Sequence, residues 1–557
     1  MRTEFKVSGL ALVAGVLLTL VSARADAQDG FDFSEDETWD FSDETAPVPS
    51  AEPSAPAAAP AAPVYPEPDM TSPVARFLQE GLRYYEAEDF ESASIYFWRV
   101  VTDPDPSAEG LRPRATFELA KTLSRMELYQ GALLFFDEIV AVGPMHPYFE
   151  ATAPWVLVVA RRLPGDMGML RRVAAFADVF PDRIEEKYRD EMAFMLGQHF
   201  YNVGELEQAL QYLGFVTEVS DYFPRARFLS AITHVRRYDA QPAIDDLIRL
   251  SEYVESYRGR DPEIRNFAQL ARLSMARTFY STGEYDKAIR HYRDVPQRSE
   301  HWLDALLESS WAYFQDDQFN RALGNLHSLN APFFNDEYYP EAAVLQAVIL
   351  FYNCRFPEVR AALEEFDYVY GPLREDLESL FTDLTSNRDF YDFLVETEAR
   401  VERRFDPRLQ QIVNAALEDR SIRNALAYIA QLDGEIGYMD EADRGWATSD
   451  LGDFIYQEIL AAREFAIGDA GQLVRNRLQA ILDDLRQKTR ETSAILVETD
   501  LAEANAISAD LRAELFVGET DAAASDVHRE QMFWTFEGEY WRDELGYYLY
   551  HIESACR

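Results

Sequence analysis

The 557-residue chain is poor in cysteine, histidine and positive charge. Its two cysteines, Cys354 and Cys556, are too few for a disulfide framework. Two separate thiols, one buried at Cys354 and one loose near the C-terminus, are expected over a bridge. The eight histidines stand singly, with no H-E-x-x-H or C-x-x-C spacing, so no metal site is legible and no cofactor is expected. A G-x-S-x-G elbow and a Gly-rich phosphate loop are both missing. No catalytic constellation emerges, and an enzyme is not expected. Only 53 Lys and Arg stand against 98 Asp and Glu, a formal charge of −45. Nucleic acid and anionic membrane surfaces reward clustered positive charge and are disfavoured as main partners. Beyond the N-terminus, no apolar run reaches the ~18 residues of a bilayer span.

What is present begins with "MRTEFKVSGLALVAGVLLTLVSARADA". Arg2 and Lys6 form a charged start, Leu10 to Val21 an apolar stretch, and Ala25-Asp26-Ala27 a small-residue cleavage site. Residues 1–27 read as a secretory signal peptide, and the stretch is short for a membrane anchor. The expected location is the periplasm. Residues 28–73 then read as a disordered linker, acidic at first and rich in Pro and Ala from Ala46 to Pro73. Its acidic part says nearly the same thing twice. Phe31-Asp32-Phe33-Ser34 returns as Trp39-Asp40-Phe41-Ser42, with no base between Phe31 and Thr45. Phe31, Phe33, Trp39 and Phe41 form a candidate docking motif on a long tether, with a solubilising acidic tail as the plain alternative.

From residue 74 to 385 the chain repeats itself. A small residue is followed by an aromatic or apolar residue three on, an alanine twelve on and an apolar residue sixteen on. Copies of the frame start at Gly81, Ala120, Gly197, Ala231, Ala276, Ser310 and, more loosely, Ala347. The long interval between Ala132 and Ala209 leaves room for an eighth, degenerate copy. Two antiparallel helices that cross closely require Gly, Ala or Ser at the crossing, and a single pair cannot bury its apolar face alone. The pattern resembles the tetratricopeptide repeat family, although pitches above 34 residues and a mostly missing first-helix tryptophan depart from it. The resemblance implies an all-α helical-hairpin solenoid whose first helices line a concave partner-binding surface. Carried over, that surface would present Lys121, Arg125, Gln198, Tyr201, Asn202, Arg236, Arg277, Tyr280, Trp311 and Gln315. Four of these are basic in an acidic protein, which suggests a basic groove.

Residues 386–557 lose the frame but keep helical periodicity. The charged stretch around Leu478, Leu482 and Leu485 reads either as a coiled-coil hairpin or dimer seam, or as an amphipathic helix on a neighbour. Polar Thr489 and Thr492 favour a packed helix or an intrachain hairpin. The ending, "MFWTFEGEYWRDELGYYLYHIESACR", is too aromatic for a free tail. It is expected as a cap on the preceding helices, in short pieces, strands among them, broken at Gly538 and Gly546; a partner-docking patch is the other reading.

The functional expectation is a non-enzymatic scaffold that binds other cell-envelope proteins. The leader with its Pro/Ala linker, the loosened repeats and "YWRDELGYY" are similar to periplasmic repeat proteins of deltaproteobacterial envelopes, including the gliding-motility complex of myxobacteria. That resemblance implies a link between an inner-membrane motor and outer-membrane components. The alternative is an assembly factor or regulator of cell-wall enzymes or outer-membrane proteins. The docking motif would then engage another envelope protein, or fold back onto Lys121, Arg125, Arg236 and Arg277.

Overall fold

A computed structural model describes residues 65–163, 168–259, 262–334, 337–398, 409, 412, 419–513 and 538–556. The leader and the Phe31–Phe41 motif lie outside the described residues. The described residues are helical or irregular, without a strand.

The repeats form helix pairs: α1 (Pro73–Glu86) with α2 (Phe90–Thr102), and α3 (Arg112–Arg125) with α4 (Tyr129–Val142). Next come α5 (Phe149–Ala160) with α6 (Met169–Ala174), and α7 (Glu186–Asn202) with α8 (Leu206–Leu213). They continue as α9 (Phe223–Arg236), α10 (Ala240–Ser256), α11 (Pro262–Ser281), α12 (Tyr285–Arg293), α13 (Trp302–Gln315), α14 (Phe319–Leu329), α15 (Pro340–Tyr352) and α16 (Phe356–Asp383). The pair α5–α6 fills the long interval as the degenerate copy. Its second helix is only six residues long, and Pro154 stands inside its first. The chain starts cleanly because Ser72 Oγ accepts from the Ala75 N–H at 3.1 Å and Pro73, lacking an N–H, opens α1.

The frame is visible in the packing. The small residues of both helices, from Ala93 and Ala120 to Ala322 and Ala347, have no exposed surface. A Cβ added to Gly81 would stand 2.7 Å from the Phe97 ring, sixteen residues on, so the crossing admits nothing larger than hydrogen there.

The later helices are α17 (Asn387–Glu398), α18 (Arg420–Glu441), α19 (Arg444–Ala447) and α20 (Asp450–Ala513). Of the packed helix and the hairpin expected around Leu478–Leu485, the structure has the first, one continuous 64-residue helix. Thr489 and Thr492 do not break it, because their hydroxyls donate to carbonyls one turn back, at 2.8 and 2.9 Å.

The chain divides into two compact units: residues 1–239, 385–401 and 415–477, and residues 240–384, 402–414 and 478–557. In the first, later helices pack on second helices of the repeats. Trp446 Nε1 donates to Ser94 Oγ at 2.8 Å, and Phe454 stacks on Trp98 at 5.3 Å. Glu435 accepts the Tyr129 and Gln130 N–H groups, at 3.1 and 3.2 Å, and so caps α4, which has no cap of its own.

In the second unit, α20 lies along α16, where Arg486 donates to Glu378 at 3.1 Å and Arg360 to Asp500 at 2.9 Å. The C-terminal residues 538–556 contain no strand and run as a strap over α14. The Tyr550 N–H donates to the Asn320 carbonyl at 3.1 Å, the Gly546 N–H to Ser328 Oγ at 2.8 Å and the Ala555 N–H to the Asn353 carbonyl at 2.9 Å. Its polar backbone is satisfied by helix ends and side chains, not by an extended partner, which is why no strand forms. The strap caps repeat helices, not the helices just before it in sequence. Gly324 permits this approach, since a Cβ there would fall 1.9 Å from the Tyr548 carbonyl oxygen. Cys556 is bonded to Cys354, which corrects the expectation of two separate thiols.

Candidate partner-binding face

The row of first-helix side chains is set by the turn that ends each first helix. In seven copies the residue seven past the small position has positive φ: Glu88, Glu127, Gly204, Tyr238, Gly283, Asp317 and Cys354. The following N–H then donates to the carbonyl three past the small position, as from Asp89 to Tyr84 at 3.0 Å and from Gln318 to Tyr313 at 2.8 Å. This left-handed turn satisfies an orphan carbonyl and fixes how the second helix folds back. Each first helix thereby presents the same positions, one, four and five past the small residue, on one side.

Three side chains one past the small residue, Lys121, Arg277 and Trp311, reach toward the next copy. Arg277 donates through Nε and Nη2 to both oxygens of Glu308, at 2.9 and 2.6 Å. Burial works against the Arg277 charge, and the Glu308 carboxylate more than offsets it, so its pKa lies above the ordinary arginine value. Trp311, buried, donates from Nε1 to Glu341 at 2.6 Å. Lys121 pairs with Glu118 at 2.8 Å, and its ammonium lies 5.8 Å from the Trp155 ring of the next copy. In the degenerate copy Arg161 makes the same kind of tie to buried Glu191, which also accepts from the Tyr222 hydroxyl at 2.9 Å. Burial, with Glu191 adding to it, pushes the Tyr222 phenol up to about 12.

The side chains four and five past it range from exposed to buried. Arg125 and Arg236 are exposed. Arg125 lies 5.7 Å from the Phe90 ring, and Arg236 donates to the Tyr201 carbonyl at 3.0 Å while covering the buried Tyr201 ring. Asn202, Tyr280 and Gln315 are half-buried, as is Gln198, one past Gly197. Burial raises the Tyr280 phenol pKa, with Gln315 as a side-chain partner that opposes the shift. Two of the four cations expected in a basic groove, Lys121 and Arg277, are thus held by carboxylates of their own face.

The acids that hold this face together escaped the sequence reading. Glu191, Glu308 and Glu341 lie 30 or 31 residues beyond their partners. Their signal was an acid inside an otherwise apolar first helix, as in "LLESSW" and "PEAAVLQ".

No family model and no curated protein matches the chain. Solved structures do match. A tetratricopeptide repeat protein from Parabacteroides merdae is 13% identical, with a TM-score of 0.23, over 53% of this chain and 93% of that one. The apo form of RapI is 11% identical, with a TM-score of 0.30, over 71% and 98%. Yeast Tom70 is 12% identical, with a TM-score of 0.19, over 71% and 97%. The scores are low, and the fold assignment rests on the chain's own paired helices and their common frame. The fold is a tetratricopeptide-like solenoid.

Later segments of the chain cover four of the second helices, each within its own unit. α2 and α4 carry Trp446, Phe454 and Glu435; α14 carries the strap, and α16 carries α20. Among the described residues no group of His, Cys, Asp and Glu is arranged to hold a metal, and no helix is long and apolar enough to cross a membrane.

Proposed function

We propose that this protein is a non-enzymatic scaffold of the periplasm that holds envelope proteins on its first-helix face. The observation that carries the reading is on the first helices: Arg125 and Arg236 are exposed beside half-buried Gln198, Asn202, Tyr280 and Gln315, while later segments of the chain cover α2, α4, α14 and α16. First helices tied copy to copy present a pre-ordered surface within a unit, and such surfaces bind peptides or folded partners. The Cys354–Cys556 bridge supports an oxidising compartment, as does the leader-like N-terminus. The envelope-spanning role suggested by the resemblance to gliding-motility proteins is the narrower form of this proposal.

The test is site-specific photocrosslinking in the native envelope. Full-length protein carrying a photoreactive residue at 125 or 198, both on first helices of the first unit, should capture the same envelope proteins, and one carrying it at 368, on α16, should not. Motor and surface-adhesion proteins in the crosslinks support the narrower role. Wall hydrolases or barrel-assembly proteins would instead make the chain a regulator or assembly factor. Crosslinks from position 368 alone would overturn the assignment of the face.

A further inference from the structure

One feature of the frame recurs as a pair of stacked rings. The residue three past the small position stacks on the residue fifteen past it in three copies. Phe200 meets Tyr212 at 5.2 Å and 7°, Phe279 meets His291 at 5.3 Å and 12°, and Tyr84 meets Tyr96 at 5.3 Å and 12°. In the Gly197 copy this pair is closed by what precedes it in the chain. Phe180 packs on Tyr212 at 5.6 Å, and the Tyr212 hydroxyl donates to the Ala177 carbonyl at 3.4 Å.

The Tyr84–Tyr96 pair belongs to the first copy, so among the described residues no earlier helix pair exists to close it. Phe77 extends the ring surface, 6.4 Å from Tyr96, and all three rings are only half-buried. Exposed cations rim it. Arg83 stands 4.7 Å over Tyr84 while pairing with Glu80, and Arg99 lies 5.4 Å from the Tyr96 ring and 5.8 Å from that of Phe77. The first pair of a solenoid ordinarily needs a polar outer side. This one ends in aromatics and arginine.

We propose that the chain's own Phe31–Phe41 segment closes this face, one of its rings taking against Tyr84–Tyr96 the place that Phe180 takes against Tyr212. Three observations select that occupant. The segment carries four aromatics and no base from Phe31 to Thr45, the complement of a ring surface edged by Arg83 and Arg99. It comes before the first copy in the chain, as Phe180 comes before α7, with the Pro/Ala stretch as its tether. The described chain begins at Tyr65, whose ring packs on His146 at 5.5 Å. The residues between Phe41 and Tyr65 span up to ~70 Å when extended, against ~21 Å for the length of α1, so reach does not limit the contact. The address differs from the groove, where Lys121 and Arg277 already hold carboxylates. The duplicated motif makes the closure exchangeable, because either copy presents an aromatic–Asp–Phe triplet to one site. This proposal stands independently of the partner on the first-helix face.

The experiment uses the full chain and a labelled peptide of residues 29–45. In one variant Phe31, Phe33, Trp39 and Phe41 are changed to Ser, which vacates the face. The peptide should bind this variant at least tenfold more tightly than wild type, whose own segment competes. Adding Arg83→Glu and Arg99→Glu should weaken peptide binding at least tenfold; if that pair fails to fold by circular dichroism, Arg99→Ser serves instead, with a smaller loss. Equal binding to wild type and the serine variant, or binding indifferent to the arginines, overturns the proposal. So does a concentration-dependent dimer that the serine changes abolish, because the segment would then close a second copy.

Discussion

Arg277 on α11 grips Glu308 on α13 with two parallel hydrogen bonds, at 2.9 and 2.6 Å, and so ties one repeat to the next. The side chains are 28% and 20% exposed, which leaves the pair partly screened. Charge-assisted hydrogen bonds of this kind contribute about 1.5–3 kcal/mol, and an abandoned partner adds a desolvation cost. Arg277→Ala should therefore destabilise the second unit by about 2 kcal/mol. Arg277→Met with Glu308→Leu should cost less than the sum of the two single changes, since neither charge is orphaned. Hydrogen exchange should show the loss first in α11 to α14. Uniform protection across wild type and Arg277→Ala would mean the tie is ornamental.

The left-handed turns make a second prediction. Asp317 sits at φ 58°, a conformation that disfavours side chains with a Cβ by about 1–2 kcal/mol. Glycine relieves this but loses more backbone freedom on folding, about 0.5–1 kcal/mol. Asp317→Gly should accordingly stabilise by roughly 0.5–1 kcal/mol, and Asp317→Val should destabilise by more than that. Thermal melts of the two variants should move in opposite directions.

The same turns show what sequence could and could not tell. Small residues at the helix crossings were legible because packing admits few alternatives there, and they placed the pairs from α1 to α16, the degenerate α5–α6 included. The left-handed position was hidden, because only Gly204 and Gly283 of the seven carry glycine; Tyr238 and Cys354 occupy the same φ region. The first-helix row was legible as positions, but not its commitments, since Glu308 and Glu341 follow Arg277 and Trp311 by some thirty residues. The strap misled because aromatic, glycine-broken segments suit strands, and only the fold supplies helix ends for it to bond instead. A bridge across 202 residues has no local signature.

Glu435 predicts a pH effect. Burial raises its pKa to about 7, and the two N–H donors of α4 oppose that only in part. Below its ordinary value near 4.5 the carboxyl is protonated folded or unfolded, and it contributes no pH dependence. Between about 4.5 and 7 the folded state holds the proton that the unfolded state has lost, so stability falls as pH rises. The full loss above pH 7 is at most about 3 kcal/mol, and the α4 dipole, which favours the anion, reduces it. His146 acts oppositely. Burial lowers it to about 4, so its contribution is lost as pH falls below about 6.5. The Glu435 effect is therefore read as a difference: Glu435→Gln should match wild type near pH 4.5 and exceed it at pH 8. A constant offset between the two melting profiles would contradict the assigned shift.

The crossing residues test the frame itself. Ala288 of α12 has no exposed surface and lies at the crossing with α11. Leucine there adds volume where neither helix can yield alone, at a cost of about 1–3 kcal/mol. Because stability is shared between adjacent copies, the loosening should spread to α13 and α14 rather than stay in one pair. Melts of Ala288→Leu that match wild type would mean the crossing lies elsewhere.

The bridge between Cys354 and Cys556 fastens the strap at a turn residue of φ 54°. The strap's backbone also bonds to Asn320, Ser328 and Asn353, and Tyr540 stacks on His327 at 4.8 Å, so the bridge is not its only hold. Removing a native disulfide typically costs about 2–5 kcal/mol, mostly by freeing the unfolded chain. Here that loss should register chiefly in the second unit. Cys556→Ser should lower its melting temperature while leaving the strap docked under mild conditions, because the hydrogen bonds to α14 survive. Partial heating should then expose the strap to protease before the repeats are cut, whereas the bridged protein should lose both together. Thiol titration of the denatured, unreduced protein gives the direct check: no free thiol is expected. Two titratable thiols, with a strap as resistant in the variant as in wild type, would remove the bridge from the account of what holds this end of the solenoid.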